Sequence, residues 1–260
     1  MTLTLRREQP ADHRAVEELT RDAFWGMDGP RCVEHLLVHR LRTSDAFVPE
    51  LSVVAEVDGA LVGHVVWTRA RGVGPDHEHD VLTFGPLSVA PAHQGAGIGA
   101  VLMRHTLAEA ARLGHRAVVV YGHPDYYPRF GFLRGVEVGI TAPGGATFDA
   151  LMARALVDGG LDGVHGEFHE DPAFRLEQAD ADAFDAAFPS KVPATLPLID
   201  VLEGSVPAPV LAALRGAGMT TVAAIRRCSS AEVAALDGVG PAGRDAISAW
   251  MRAERIPWGC

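Results

Sequence analysis

Gly95, Gly97 and Gly99 fall at every second position within the run Phe84 to Ala110, where an apolar stretch gives way to a helical one. Glycine removes side chains where a backbone must wrap closely round a ligand. The unpaired N–H groups of a helix start then converge on one spot, with the positive end of the helix dipole behind them. That arrangement suits an anion, above all a pyrophosphate. The string Gly95-x-Gly97-x-x-Ala100 also fits the G-x-G-x-x-G/A dinucleotide fingerprint. That fingerprint requires a carboxylate about 20 positions on, at the end of the next strand. Here the strand end reads Val120-Tyr121-Gly122, with no carboxylate before Asp125. Without a ligand, the same residues read as a glycine-rich turn ahead of a core helix.

Proton-transfer groups lie nearby in the sequence. Tyr126 and Tyr127 precede Phe130-Gly131-Phe132, and a phenol of pKa near ~10 can act as an acid. Glu50, Glu56 and Asp125 are candidate bases, with His64 in an extended run and His123 in a loop. Carboxylates of this kind are ordinarily solvated or ion-paired, and a single strand histidine is ordinarily a hydrogen-bonded structural residue. No metal site is expected. Asp76-His77-Glu78-His79-Asp80 reads as a hydrated hairpin tip, and His165 and His169 lie among glycines without an HExxH motif. No nucleophilic triad can be ordered from the motifs. The single lysine, Lys191, excludes a Walker-type loop or a lysine Schiff base earlier in the chain.

Gln94-Gly95-Ala96-Gly97-Ile98-Gly99 matches the pattern Q/R-x-x-G-x-G/A, preceded by Leu87-Ser88-Val89-Ala90-Pro91. Tyr127 is followed four residues later by Gly131-Phe132. On these two motifs, residues ~3–174 resemble the GNAT superfamily of acetyl-CoA-dependent N-acetyltransferases. The run Gly122 to Tyr127 is similar to that of a bacterial subgroup of single-domain members. The resemblance implies that amides of Gln94, Gly95, Ala96, Gly97, Ile98 and Gly99 bind the coenzyme pyrophosphate. It implies that Leu87, Ser88 and Val89 pair with the pantetheine arm like an added strand, and that the Val89 N–H polarises the thioester carbonyl. Ala100 departs from the basic residue often found after the last glycine, so Arg104, one turn on, is the candidate for the 3′-phosphate.

The implied chemistry is direct transfer from acetyl-CoA to an amine. An alkylammonium of pKa near ~10.4 must lose a proton before attack, and the departing thiolate, near ~8.5 if it behaves like cysteine, must gain one. Tyr127 is the candidate acid; the spacing leaves Tyr126 open for the same task, and the base is unassigned. A small-molecule amine is favoured over a protein lysine, because nothing in the sequence suggests a peptide groove.

The elements that must hold these groups can be read from periodicity. Helices are expected over 10–24 and 30–42, and over 98–113 with a stop at Gly114. Extended runs are expected over 51–57 and 61–68, joined at Asp58-Gly59, and over 81–89 and 117–121. Weaker ones fall near 136–140, 147–156 and 164–169. The expected fold is α/β, a GNAT-type mixed, mainly antiparallel sheet flanked by helices, followed by a small all-α domain. The expected divisions are 1–174 for the catalytic domain, 175–200 for a linker with a short helix, and 201–260 for the helical domain.

In that last segment, Gly238-Val239-Gly240 with Gly243, Ala246 and Ile247 resembles a helix-hairpin-helix. The whole stretch is similar to the C-terminal domain of the bacterial RNA polymerase alpha subunit. Such hairpins touch DNA phosphates through loop amides, and Arg244 is placed to add charge. From Leu196 onward, however, six arginines face six carboxylates, and Asp237 and Asp245 flank the loop. A protein-interaction or structural module is therefore favoured over nucleic-acid binding. The alternatives to a small-molecule enzyme are a coenzyme-binding or nucleic-acid-associated regulator, and a protein acetyltransferase whose helical domain recruits its target.

Composition agrees with a globular core. The 260 residues are 48% hydrophobic, and a net charge of −10 argues against attachment to nucleic acid or anionic lipid by overall charge. Cys32, Cys228 and Cys260 are too dispersed for a disulfide framework. No apolar run approaches the ~18 residues of a membrane span, and early charge at Arg6, Arg7 and Glu8 is unlike a signal peptide. A cytoplasmic setting without membrane association is expected.

Overall fold

A computed structural model describes residues 2–26, 32–75, 77–192, 201–226, 228–254 and 256. The chain divides into two compact units. One contains Met1–Arg14, Leu37–Leu87 and Gly97–Leu176; the other contains Ala15–Leu36, Ser88–Ala96 and Glu177–Cys260. No helix among the described residues is long and apolar enough to cross a membrane.

The strands are β1 (Leu3–Arg7), β2 (Val53–Val57), β3 (Ala60–Val73), β4 (Glu78–Val89), β5 (Ala117–Tyr121), β6 (Leu133–Arg134), β7 (Ile140–Thr141), β8 (Leu151–Ala155) and β9 (Gly166–His169). They form one mixed sheet in the order β1-β2-β3-β4-β5-β8-β6, with β9 pairing both β3 and β7. The β1–β2, β2–β3, β3–β9, β5–β8 and β6–β8 pairs are antiparallel, and β4–β5 and β7–β9 are parallel.

Valine-rich β2 and β5 favour a pleated, buried surface. Asp58 and Gly59 take positive φ, 49° and 85°, the conformation a two-residue hairpin turn needs. The parallel pair requires a crossover, supplied by helix α3 (Ile98–Arg112). Its stripe of Ile98, Leu102, Met103, Thr106, Leu107 and Ala110 is buried. Gly63 on β3 permits the close approach of that helix. A Cβ there would lie 3.0 Å from Leu102 Cδ1 and 3.1 Å from Ile98 Cγ2. Gly114, at φ 88°, ends the helix; its N–H donates to Ala111 O, and that of His115 to Ala110 O.

Extended structure near 136–140 is largely replaced by a tight turn over Gly135–Val138, and only Ile140–Thr141 pairs as strand. The cause is the pair of glycines. Gly139 has φ 74°, and a Cβ on Gly135 would lie 2.7 Å from the Ile140 carbonyl oxygen.

The remaining helices are α1 (His13–Phe24), α2 (Glu34–Leu41), α4 (Gln178–Asp185), α5 (Ala208–Gly216), α6 (Val222–Arg226), α7 (Ser230–Ala234) and α8 (Gly240–Ala253). The start of the expected 30–42 helix and the end of the expected linker, residues 193–200, lie outside the described residues. In the second unit the core gathers Leu214, Val233, Ile247 and Met251 with Trp25 and Cys32. Ser229 caps α7. Its hydroxyl accepts from Glu232 N at 3.2 Å, and its N–H donates to the Glu232 carboxylate at 2.6 Å.

Candidate active site

β4 and β5 register at Leu82 opposite Val118, and no later pair joins them among the described residues. β4 nevertheless runs on through Leu87, and β5 through Tyr121. On this side the backbone of β4 beyond Leu82 has no strand partner. Pro86, which has no N–H to donate, is tolerated along such an unpaired stretch. An extended ligand arm can add here as a strand would.

The segment after β4 holds a second set of free donors. Gly95 and Gly97 take φ 76° and 82°, and a side chain at either would be strained. Gly97 caps α3 without a side-chain hydrogen bond, and the first intrahelical bond is Val101 N to Gly97 O. The amides of Gly95, Gly97, Ile98, Gly99 and Ala100 have no protein acceptor among the described residues. Residues 95–97 are exposed, so the Gly95 and Gly97 donors are open to a ligand; Ile98 is buried, and Gly99 and Ala100 are half-buried. Gln94 serves the backbone: its Nε2 donates to the Val89 carbonyl at 3.2 Å. The side chain of Ser88 is buried and lies 2.9 Å from the Thr20 hydroxyl, which leaves the ligand-pairing task of this strand end to its backbone.

Tyr127 opens a short turn, Tyr127–Phe130, just after β5. Its ring lies 5.5 Å from Phe84 and 5.5 Å from Phe132, centroid to centroid. It also covers the space at Gly122, where a Cβ would stand 2.3 Å from Tyr127 Cε2. Gly122 is therefore a packing requirement that fixes the phenol at the end of β5. Burial, reinforced by neighbouring Tyr126, pushes the phenol well above its ordinary pKa, so it stays protonated. Tyr126 stacks edge-on against it at 5.1 Å and lies under the Arg129 guanidinium. Arg104 is exposed, with its guanidinium 5.5 Å from the Phe130 ring.

The candidate bases separate clearly. Glu56 accepts from Arg6 Nε at 3.0 Å and Nη2 at 2.5 Å. His64 is fully buried, 3.2 Å from the Ser52 hydroxyl and 3.5 Å from Glu8, and burial lowers its pKa. Both are structural. Asp125 and His123 are exposed and 4.0 Å apart. Glu50 sits in the turn Pro49–Leu51 before β2.

Two arrangements were not legible in the motifs. Cys32 Sγ lies 3.2 Å from His35 Nδ1, and His35 Nε2 lies 3.2 Å from Asp185 Oδ1. This resembles a nucleophilic triad, but both Cys32 and His35 are buried, and burial pushes the thiol up to about 12. The second is Glu170, just past β9, whose carboxyl is raised to about 7 by burial.

The structure thus presents free amides at a glycine-capped helix start, an unpaired stretch of β4 and a buried phenol after β5. Residues 14–132 match the model of the Acetyltransferase (GNAT) family. The Escherichia coli N-acetyltransferase YhbS, itself uncharacterised, is 29% identical over 170 residues, which cover 65% of this chain and 97% of that protein. A second uncharacterised E. coli N-acetyltransferase, YjhQ, is 38% identical over 96 residues; the match spans 37% of this chain and about half (53%) of YjhQ. Among solved structures, that of E. coli YhbS with CoA has a TM-score of 0.59 at 26% identity, covering 67% of this chain and 93% of YhbS. A GNAT family acetyltransferase from Brucella melitensis, in complex with acetyl-CoA, has a TM-score of 0.55 at 30% identity, covering 67% of this chain and 99% of its own. The chain belongs to the GNAT family of acetyltransferases. Its class is that of an acyltransferase.

Proposed function

We propose that the protein transfers an acetyl group from acetyl-CoA directly to the primary amine of a small molecule. The observation that carries this reading is the set of unpaired amides of Gly95, Gly97, Ile98, Gly99 and Ala100, which suits a pyrophosphate, while the Ala96 N–H donates to the His93 carbonyl at 3.4 Å. The coenzymes bound by the YhbS and Brucella structures support it. The free edge of β4 through Leu87 and on to Ser88 and Val89 receives the pantetheine arm, and the Val89 N–H polarises the thioester carbonyl. Arg104 is available to the 3′-phosphate.

A deprotonated amine attacks the carbonyl carbon, the C–S bond breaks, and Tyr127 protonates the departing sulfur. The raised phenol keeps its proton at neutral pH. Melting of the full chain with acetyl-CoA, NAD or ATP tests the reading: acetyl-CoA alone should stabilise. Equal stabilisation by NAD, or none by acetyl-CoA, overturns it.

Within the same reading, residues 1–174 are the catalytic domain, and 201–260 an appended helix-hairpin-helix-like module joined by 175–200. Gly238 and Gly240, at φ 81° and 58°, support a hairpin between α7 and α8. The guanidinium of Arg244 is engaged by Asp245 at 2.5 Å, which favours a protein-binding or structural role over DNA. A cytoplasmic setting belongs to the same reading.

A further inference from the structure

Val89 is the last residue of β4, and toward β5 that strand has no partner after Leu82 among the described residues. A strand end held from one side only belongs to the less stable part of a fold. Yet a donor that polarises a carbonyl must be fixed in place before the reaction begins. Two side-chain contacts supply that fixing, and the four residues that make them, Thr20, Ser88, Val89 and Gln94, belong to one compact unit.

The first contact is at Ser88. Its hydroxyl lies 2.9 Å from that of Thr20 on α1, and both residues are fully buried. Each hydroxyl meets the other's need for a partner, and parting them would leave a buried polar group unsatisfied. The second contact is at Val89. After it, Pro91–His93 forms one tight turn, and His93 N donates to Ala90 O at 2.8 Å. The turn brings residue 94 back to residue 89, where Gln94 Nε2 donates to the Val89 carbonyl at 3.2 Å. In an extended strand the N–H and C=O of one residue face the same edge. Left bare, the Val89 carbonyl would set a second partly negative oxygen beside the thioester oxygen. The Gln94 carboxamide occupies it and fixes its direction.

We propose that Thr20 and Gln94 are positioning residues: they hold the peptide between Ser88 and Val89 from its two ends, and so aim the Val89 N–H at the thioester carbonyl. The assignment rests on the acetyltransferase reading above. Neither side chain touches the reacting atoms. Thr20 acts through the Ser88 side chain, and Gln94 through the Val89 carbonyl. Arginine, the other residue of the Q/R pattern, also carries N–H donors and can take over the second contact, whereas methionine, of similar length, cannot.

The test is infrared difference spectroscopy of acetyl-CoA, isotopically labelled at the thioester carbonyl carbon and bound to the full chain, with affinity read by calorimetry. It needs no acceptor amine. In wild type the carbonyl stretch should be lower and narrower than for free acetyl-CoA in buffer, because one fixed donor replaces many solvent geometries. Gln94→Met should lose roughly half of that displacement or more and broaden the band. The Kd for acetyl-CoA should stay within about twofold, since the donors to the pyrophosphate are untouched. Gln94→Arg should restore the wild-type band. Thr20→Val should relax the band in the same sense, and Thr20→Ser, which keeps the hydroxyl, should not; this pair carries the test if Gln94→Met fails to fold. A wild-type band in Gln94→Met, or a Gln94→Arg band like that of Gln94→Met, overturns the role of Gln94. A wild-type band in Thr20→Val overturns that of Thr20. Acetyl-CoA that binds wild type with an unshifted, broad stretch sinks the Val89 contact and the proposal with it, and acetyl-CoA that does not bind wild type sinks the coenzyme reading itself.

Discussion

Glu170 should cost the fold stability at alkaline pH, and removing its charge should restore it. Burial raises its carboxyl from 4.5 to about 7. The folded state therefore holds the proton more tightly than the unfolded chain. For an acid raised in this way, stability is undiminished below pH 4.5, falls as pH rises toward 7, and levels off above it. One pKa unit corresponds to about 1.4 kcal/mol, so the full displacement sets a ceiling of about 3 kcal/mol. The group is not wholly enclosed, and water relieves part of this, leaving ~1–3 kcal/mol. Glu170→Gln keeps the shape and abolishes the charge. At pH 8 its melting temperature should exceed wild type by about 2–4 °C for each kcal/mol regained. At pH 4.5 the two should melt together. Scanning calorimetry at both pH values is the assay. A difference that is the same at both, or a variant less stable at pH 8, would refute the reasoning.

Tyr127→Phe should lower kcat about 100-fold while leaving the KM for acetyl-CoA within about twofold, because only the proton donor is lost. Since the phenol is held above its ordinary pKa, the wild-type rate should show no alkaline loss from this group below pH 10. Gly122→Ala puts a methyl 2.3 Å from Tyr127 Cε2 and displaces the ring; turnover should fall about 100-fold with CoA binding retained by calorimetry. Gly63→Ala crowds Leu102, Ile98 and Ala55 at 3.0–3.2 Å, and should cost about 1–3 kcal/mol in urea denaturation.

The loop and the phenol were legible because their requirements are local. A glycine at positive φ and a tyrosine a fixed distance before Gly-Phe leave marks in a short string. The hairpin at Asp58-Gly59 and the crossover through α3 were readable for the same reason, since each is set by neighbours in the chain. What escaped depends on long-range packing. Glu56 and His64 are carboxylate and imidazole in a strand, and only the fold shows that Arg6 occupies one and Glu8 and Ser52 the other. Glu170 is the converse case. Nothing about a glutamate after Phe168 and His169 marks it, because its desolvation arises only from burial in the folded chain. The Cys32, His35 and Asp185 arrangement was hidden in the same way, and burial makes it inert.

The central claim is that the backbone amides of Gly95, Gly97, Ile98, Gly99 and Ala100 hold the coenzyme by its two linked phosphates. Comparing acetyl-CoA with acetyl-pantetheine, which carries the thioester arm without the pyrophosphate, by calorimetry on the full chain tests it most directly. The account predicts micromolar-class binding of acetyl-CoA and a loss of about 100-fold or more for acetyl-pantetheine. Equal affinity for the two would contradict it.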